Sequence, residues 1–530
     1  MIQLEDVRYR LFVVPLMASA LAPWISPWLS PIVVAALGLL VLLVWARRIA
    51  VDDPRLVWLM SGVFLLHVTL GAALFLISYF HLPVLRSLQL GGGFWAFAGD
   101  SDGYHLGALH LIDDLKLGRP LPTLTAAVAY DSFLAVVYMC FGSLPLTAIV
   151  INGWFVAASG LFAYLLARQF GAARGAQYAA VLVVTCWPSG FVWSSQLLRD
   201  SMALFLTWAS LSAIVFMLEA LPGRSVTTLL RAAALAGTTA AVTIIRIQVG
   251  WLFLAAAIAV VMATGAGLVR TTRGMRNAFA VLLLVAVATV FGTGVPYMRG
   301  FQVEVKGAAT LKPVPPPSSP GPTPEAAGAD NPITTATESQ RSSPAATSPV
   351  ATSPSAAFAS RLDTIPRLLE SRRRAYLIGA NASIGADADV MTWHGLFAFL
   401  PEAVANGLFA PFPWDWRSGK TTGAMKSLGV VEGLALMVLF PVLALGLVRA
   451  AKARRSGITF VLVYGTVALV FISLLVPSLG TLVRQRLQAL LPLFVLAIAA
   501  GGLDVYQKLI EVAWTSRRSS LLTERPDVRP

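Results

Sequence analysis

Cysteine is almost missing from this chain. Cys140 and Cys186 are the only two in 530 residues, and both fall in apolar stretches. That speaks against a disulfide framework and excludes a cysteine-based metal site. Charge is also scarce, at 12% of residues against 57% hydrophobic. Neither the dinucleotide-binding glycine pattern nor a P-loop occurs, so no soluble nucleotide-binding domain is visible. The short alternating strands of an outer-membrane barrel are lacking too, as is an internal repeat. The first apolar segment has no small-residue cleavage site and reads as a retained span rather than a removable signal peptide.

What the chain has is long apolar runs. Stretches of about 20 residues recur, each enough to cross about 30 Å of hydrocarbon. The expected fold is all-α, a polytopic transmembrane bundle of about twelve spans with juxtamembrane helices on its outer face. The net charge of +14 does not point to nucleic acid. Most Lys and Arg lie in short turns between spans, where the positive-inside rule puts them on the cytoplasmic side.

That rule gives a topology. Arg8 and Arg10 precede a first span at Leu11 to Pro27. A second runs from Trp28 to Trp45, followed by Arg47, Arg48 and Arg55, so the two form a hairpin. The third, Leu56 to Phe80, exits. Leu124 to Gly142 lies in the interface or re-enters without crossing, because the next span, Thr147 to Ala167, ends at Arg168 and Arg174 inside. Further spans are read at Ala176 to Trp193, Met202 to Glu219, Ala232 to Ile245, Val249 to Val269 and Ala278 to Tyr297. Three more lie at Leu428 to Val448, Ile458 to Val476 and Leu487 to Tyr506. The regions are thus a transmembrane part at 1–297 with an acidic outer loop at 81–123, an outer loop at 298–423, and a second transmembrane part with a cytoplasmic tail at 424–530. Lys312 to Pro354 is rich in Pro, Ser, Thr and Ala and is expected to be a disordered, dispensable insert. Ala357 to Ile378 is expected to be helical, and Trp393 to Phe412 amphipathic, ending in interfacial Trp414 and Trp416.

Against so little charge, Asp100-Ser101-Asp102-Gly103-Tyr104-His105 stands out just beyond the third span. Two carboxylates and a histidine beside a membrane mark a site. A carboxylate there can take a proton from an acceptor hydroxyl. A pair of them can hold a divalent cation such as Mg or Mn, with phosphate oxygens completing the shell. A solvated loop is the plainer alternative. Tyr104 either stacks on a sugar or anchors at the interface, and His105, which lacks metal-ligand spacing, goes with it in the substrate-binding set. Arg199-Asp200 forms either a local ion pair capping the next helix or a phosphate clamp oriented by its carboxylate. Arg246 falls between two spans at the same level. Arg484 and Arg486, at the outer start of the last span, run against the positive-inside trend and need a partner. Lipid headgroups and a lipid-linked phosphate both fit, since guanidinium offers phosphate two donors at once. Asp131 has no assigned role.

These residues resemble the GT-C glycosyltransferases, integral membrane enzymes that use polyprenyl-phosphate sugars, in the manner of protein mannosyltransferases and aminoarabinose transferases. In that superfamily the first outer loop carries an Asp four residues before a Tyr, then a small residue and an apolar helix; Asp100, Tyr104 and Ala108 match. Trp187-Pro188 leading to Arg199-Asp200, and Arg484 leading to a span with internal Pro492, are similar as well. Two features depart from the pattern. The acidic motif follows the third span rather than the first, and the later outer loops carry no counterpart to the family's acidic or histidine motifs.

The resemblance implies an inverting transferase that moves a sugar from a polyprenyl-phosphate donor to a glycan, lipid or protein acceptor of the cell envelope. Asp100 would be the base, assisted by Asp102, while Arg199, Arg484 and Arg486 stabilise the departing phosphate. The expected place is a plasma membrane, on this reading a bacterial inner membrane, with the site outside the cytoplasm. Nucleotide sugars are made inside, so an outer-face enzyme needs a donor already carried across on a lipid. Two rivals stand beside this reading: a polysaccharide polymerase or ligase using a lipid-pyrophosphate donor, and a flippase for a lipid-linked glycan.

Overall fold

The computed structural model describes residues 26–298 and 354–508, with breaks at 52, 123, 220–224, 270–274, 379–381, 414–423 and 506–507. The span read at Leu11 to Pro27, the insert at Lys312 to Pro354 and the tryptophans at 414 and 416 lie almost wholly outside the described residues. By contacts the chain divides into a main unit, Met1–Gly300 with Pro366–Pro530, and a second, Phe301–Ile365. Everything below concerns the main unit.

Its helices are α1 (Ser30–Ile49), α2 (Pro54–Tyr79), α3 (Asp100–Lys116), α4 (Ala126–Phe141), α5 (Pro145–Gln169), α6 (Arg174–Thr185), α7 (Pro188–Ser194), α8 (Asp200–Glu219), α9 (Ser225–Ile245), α10 (Ile247–Gly265) and α11 (Met275–Met298). After the second unit, whose last residues begin α12 (Pro354–Leu377), come α13 (Trp393–Phe409), α14 (Ala424–Lys452), α15 (Ser456–Leu475) and α16 (Leu479–Ala499). Strands β1 (Gln89–Gly91) and β2 (Phe94–Trp95) pair antiparallel as a small hairpin. Gly91, Gly92 and Gly93 all have positive φ there, which side-chain-bearing residues rarely adopt.

Among the described residues ten helices are long and apolar enough to cross a membrane, or eleven if the bent pair α6–α7 is one span. An integral, multi-pass membrane protein in contact with lipid follows. The helix starts have local causes. Pro31, Pro54, Pro145 and Pro188 occupy first-turn positions, where the missing N–H costs nothing. Arg47 and Arg48 end α1, where cations offset the helix dipole. α4 has 16 residues, about 24 Å at 1.5 Å per residue, and falls short of a bilayer crossing.

α16 is the most enclosed span, with 89% of its apolar window buried inside the protein, against 17% for α1. α1 faces lipid, and α5, α8 and α16 form the centre. Two details differ from the sequence reading. The last span starts at Leu479 rather than Leu487, so Arg484 and Arg486 lie within it. Hydropathy excludes arginine from a span, but here protein carboxylates replace water. The span read at Ala176 to Trp193 is broken, with a 55° bend between α6 and α7. Pro188 accounts for the break, since it removes a helix donor and forces the preceding residue out of the helical region.

Candidate functional site

The bend matters because it opens backbone groups inside a bundle with little water, and each must find a partner. His67, in the middle of α2, supplies one of those bonds and also holds a side chain at the end of α7. Its Nε2 lies 2.9 Å from the Thr185 carbonyl and its Nδ1 lies 2.7 Å from Ser194 Oγ. A carbonyl only accepts, so Nε2 carries the proton; the one Ser194 hydroxyl proton has two acceptors in reach, His67 Nδ1 and the Phe191 carbonyl at 2.9 Å. Asn152 on α5 does the same for the next turn. Its Nδ2 donates to the carbonyls of Gln196 and Leu198 at 2.8 and 3.0 Å. Both side chains are buried. Together they fix the path from α7 into α8, and that path ends at Arg199 and Asp200.

Those two residues meet Asp100 and Tyr104 from α3, Arg246 from the α9–α10 junction, and Arg484 from the second turn of α16. All six line one cavity of about 150 Å³. Tyr376 of α12, Thr481 and Gln485 complete it. Asp100 opens α3 and Tyr104 lies four residues on, so one helix face presents both. The motif read as a loop is therefore the first turn of a helix.

Three guanidiniums face two carboxylates in this cavity. Asp200 pairs closely with Arg246. Arg484 Nη1 stands 3.2 Å from Asp100 Oδ2 and 3.8 Å from Asp200 Oδ2. The local Arg199–Asp200 pair does not form; the Arg199 side chain has no hydrogen bond or ion pair among the described residues, and Arg246 Nε is buried without a hydrogen-bond partner. One positive charge and several N–H donors are left over, so the cavity suits an anion. Burial, the largest influence, pushes the Tyr104 phenol above its usual range; Arg199 opposes that, and Asp100 adds to it. Tyr104 thus keeps its proton and can donate. Its ring stands edge-on to Tyr130, with centroids 5.0 Å apart.

A second, narrower slot adjoins the cavity and shares Asp200 and Arg484 with it. Val156, Trp193, Leu204 and Leu487 give it apolar walls, and its volume of about 20 Å³ is close to that of a single water.

Three residues expected at the site are elsewhere. Arg486 is fully buried against Glu432, with Nε and Nη2 donating to Glu432 Oε1 at 2.9 and 2.6 Å and Nη1 to the Ala410 carbonyl at 2.6 Å. Each nitrogen of that guanidinium is engaged away from the cavity, and Arg486 is not among the lining residues. Asp102 is exposed and is not among the lining residues. His105 turns to the α4 side, where its Nδ1 is 2.9 Å from the Tyr138 hydroxyl. Burial holds its imidazole below the usual range, with Asp102 opposing. Among the described residues no three His, Cys, Asp or Glu side chains converge, and Asp102 does not line the cavity beside Asp100.

Sequence reasoning missed His67, Asn152, Thr481, Gln485 and Tyr376. The first two carried a signal, being hydrogen-bonding side chains inside apolar spans. Tyr376 carried none, because only the fold brings α12 to α3 and α16. No protein-family model, curated protein or solved structure matches this chain.

Proposed function

We propose that the protein is a membrane glycosyltransferase that moves a sugar from a polyprenyl-phosphate donor to a cell-envelope acceptor on the outer face of the membrane. One observation carries the reading: a carboxylate, Asp100, shares a cavity with three guanidiniums that exceed the negative charge present. In this mechanism the donor phosphate lies against Arg199, Arg246 and Arg484. The acceptor hydroxyl oxygen attacks the anomeric carbon, and its proton passes to Asp100. The bond from that carbon to the phosphate oxygen breaks with inversion, and the electron pair leaves on the lipid phosphate. The guanidiniums stabilise the charge gathering there. Asp200 aligns Arg246 and Arg484, and Tyr104 and Tyr376 offer ring faces and hydroxyls to the sugar.

The test is sugar transfer by purified protein in detergent, with lipid-monophosphate and lipid-pyrophosphate donors compared. Asp100→Asn should lower turnover about 10²–10⁴-fold while leaving thermal unfolding unchanged. Asp102→Asn should have a much smaller effect. Full activity of Asp100→Asn would remove Asp100 from the mechanism. Transfer from the pyrophosphate donor alone would favour a polymerase or ligase, and movement of lipid-linked glycan without transfer would favour a flippase.

A further inference from the structure

The base in this mechanism is not free. Asp100 Oδ2 accepts from Arg484 Nη1 at 3.2 Å, and the same nitrogen stands 3.8 Å from Asp200 Oδ2. One donor nitrogen is therefore divided between two carboxylates. Asp100 has no other hydrogen-bond partner among the described residues, and its side chain is 57% exposed. Asp200 differs, for it is enclosed and also held by Arg246. The Arg484–Asp100 contact is thus the most solvated link in the cavity's charge network, single and not backed by a second bond. A contact of that kind, with one partner open to water, holds weakly. A phosphate entering the cavity offers Arg484 two oxygens in the geometry guanidinium prefers.

We infer that Arg484 is a displaceable clamp. It holds Asp100 in the empty site and transfers to the phosphate when a lipid-linked anion binds, so that Asp100 becomes available to the acceptor only after the donor is seated. The inference rests on the proposed function for the roles of donor and base. It adds a binding order and a reason for it. A carboxylate released only in the presence of donor has a leaving group to work against when it takes the acceptor's proton, and donor-free encounters with acceptor lead nowhere.

Carbodiimide labelling of carboxyl groups with a small amine, read by mass spectrometry, tests this on the full chain in detergent. The probe is a polyprenyl monophosphate without sugar, whose binding is measured separately with a radiolabel. Adding it should raise labelling at Asp100 several-fold in the wild-type protein. Asp113 on the same helix, paired only with Lys116, is the internal reference and should not change. In Arg484→Gln, Asp100 should already label at the raised level and should not respond. Arg484→Lys keeps the charge but offers one ammonium, and should give an intermediate response if the glutamine variant does not fold. Binding of the lipid phosphate with unchanged or reduced labelling at Asp100 would overturn the clamp and leave the donor reading standing. Absence of lipid-phosphate binding would overturn both.

Discussion

Arg484 and Arg486 stand two positions apart on α16 and live in opposite circumstances. Arg486 is wholly buried, and its guanidinium is spent on Glu432 and the Ala410 carbonyl, with three bonds of 2.6 to 2.9 Å. Arg484 faces the cavity and divides one nitrogen between Asp100 and Asp200 at 3.2 and 3.8 Å. Residues two apart on a helix point about 200° from each other, so a single turn aims one arginine at α14 and the other at α3. The first pairs one charge with one charge and is closed. The second belongs to a set of three cations and two anions, with room and donors to spare. Position in sequence and residue type are nearly the same; the charge balance of the surroundings decides which arginine is structural and which is poised for a ligand.

The largest expected effect comes from breaking the closed pair. Glu432→Gln leaves Arg486 charged and unpaired in a dry place, which costs about 3–5 kcal/mol. Folded protein should largely disappear from size-exclusion profiles in detergent. Replacing both partners with apolar residues, Glu432→Leu with Arg486→Met, should restore most of the fold and most of the transfer activity, because removing a buried pair together is often close to neutral. Arg484→Gln should do the reverse, keeping the unfolding midpoint while losing lipid-phosphate binding. A Glu432→Gln protein that folds normally but fails to bind donor would put Arg486 back among the ligand-binding residues and collapse the distinction.

Asn152 offers a smaller, sharper probe. It touches neither arginine, but it holds the carbonyls of Gln196 and Leu198 just before Arg199. Asn152→Leu leaves two buried carbonyls without that donor, at about 1–3 kcal/mol each in the least relaxed case. If the loop relaxes instead, Arg199 shifts, and lipid-phosphate affinity should fall about tenfold, the equivalent of about 1.4 kcal/mol. Titration with radiolabelled polyprenyl phosphate separates the two outcomes. Unchanged affinity in a folded variant would show that the loop does not position Arg199.

The sequence was most readable where its period and its charges stay local. The apolar runs located the described spans, and the shortness of α4 follows from its own composition. Asp100, Tyr104, Arg199, Asp200, Arg246 and Arg484 were picked out as charge or polarity out of place near span ends, and all six line one cavity. Arg486 was picked by the same rule and went elsewhere, because its partner Glu432 lies 54 residues away and no local pattern links them. The start of α16 was misjudged for a related reason. Hydropathy treats arginine as if lipid were its surroundings, whereas both arginines here meet carboxylates on other helices. The break at Pro188 was visible as a proline, but the reading took α6 and α7 as one uninterrupted span.

The smallest effect concerns charge that flanks the cavity without lining it, where His105 and Asp131 oppose one another. Burial pushes the Asp131 carboxyl up from 3.8 to about 6, with Arg199 opposing, and its Oδ1 is buried without a hydrogen-bond partner. It fits against Gly107, where a Cβ would come within 2.6 Å of its Oδ2. For Asp131 the folded state holds its proton more tightly than the unfolded chain does. Its stabilising contribution is complete below 3.8 and is lost as pH rises through about 6. For His105 the folded state is the poorer proton binder, so stability is lost as pH falls below 6.5, where the unfolded chain protonates first. Between about pH 7 and about pH 5 the two trends run against each other. Asp131→Asn should unmask the histidine and make the protein less stable in acid. His105→Phe should unmask the aspartate and make it more stable in acid. Thermal unfolding of both variants in detergent at the two pH values checks the signs. An Asp131→Asn profile that matches the wild type would mean that Asp131 is already ionised and solvated in the folded protein, and that the unpaired carboxylate belongs with the open cavity rather than with its packed wall.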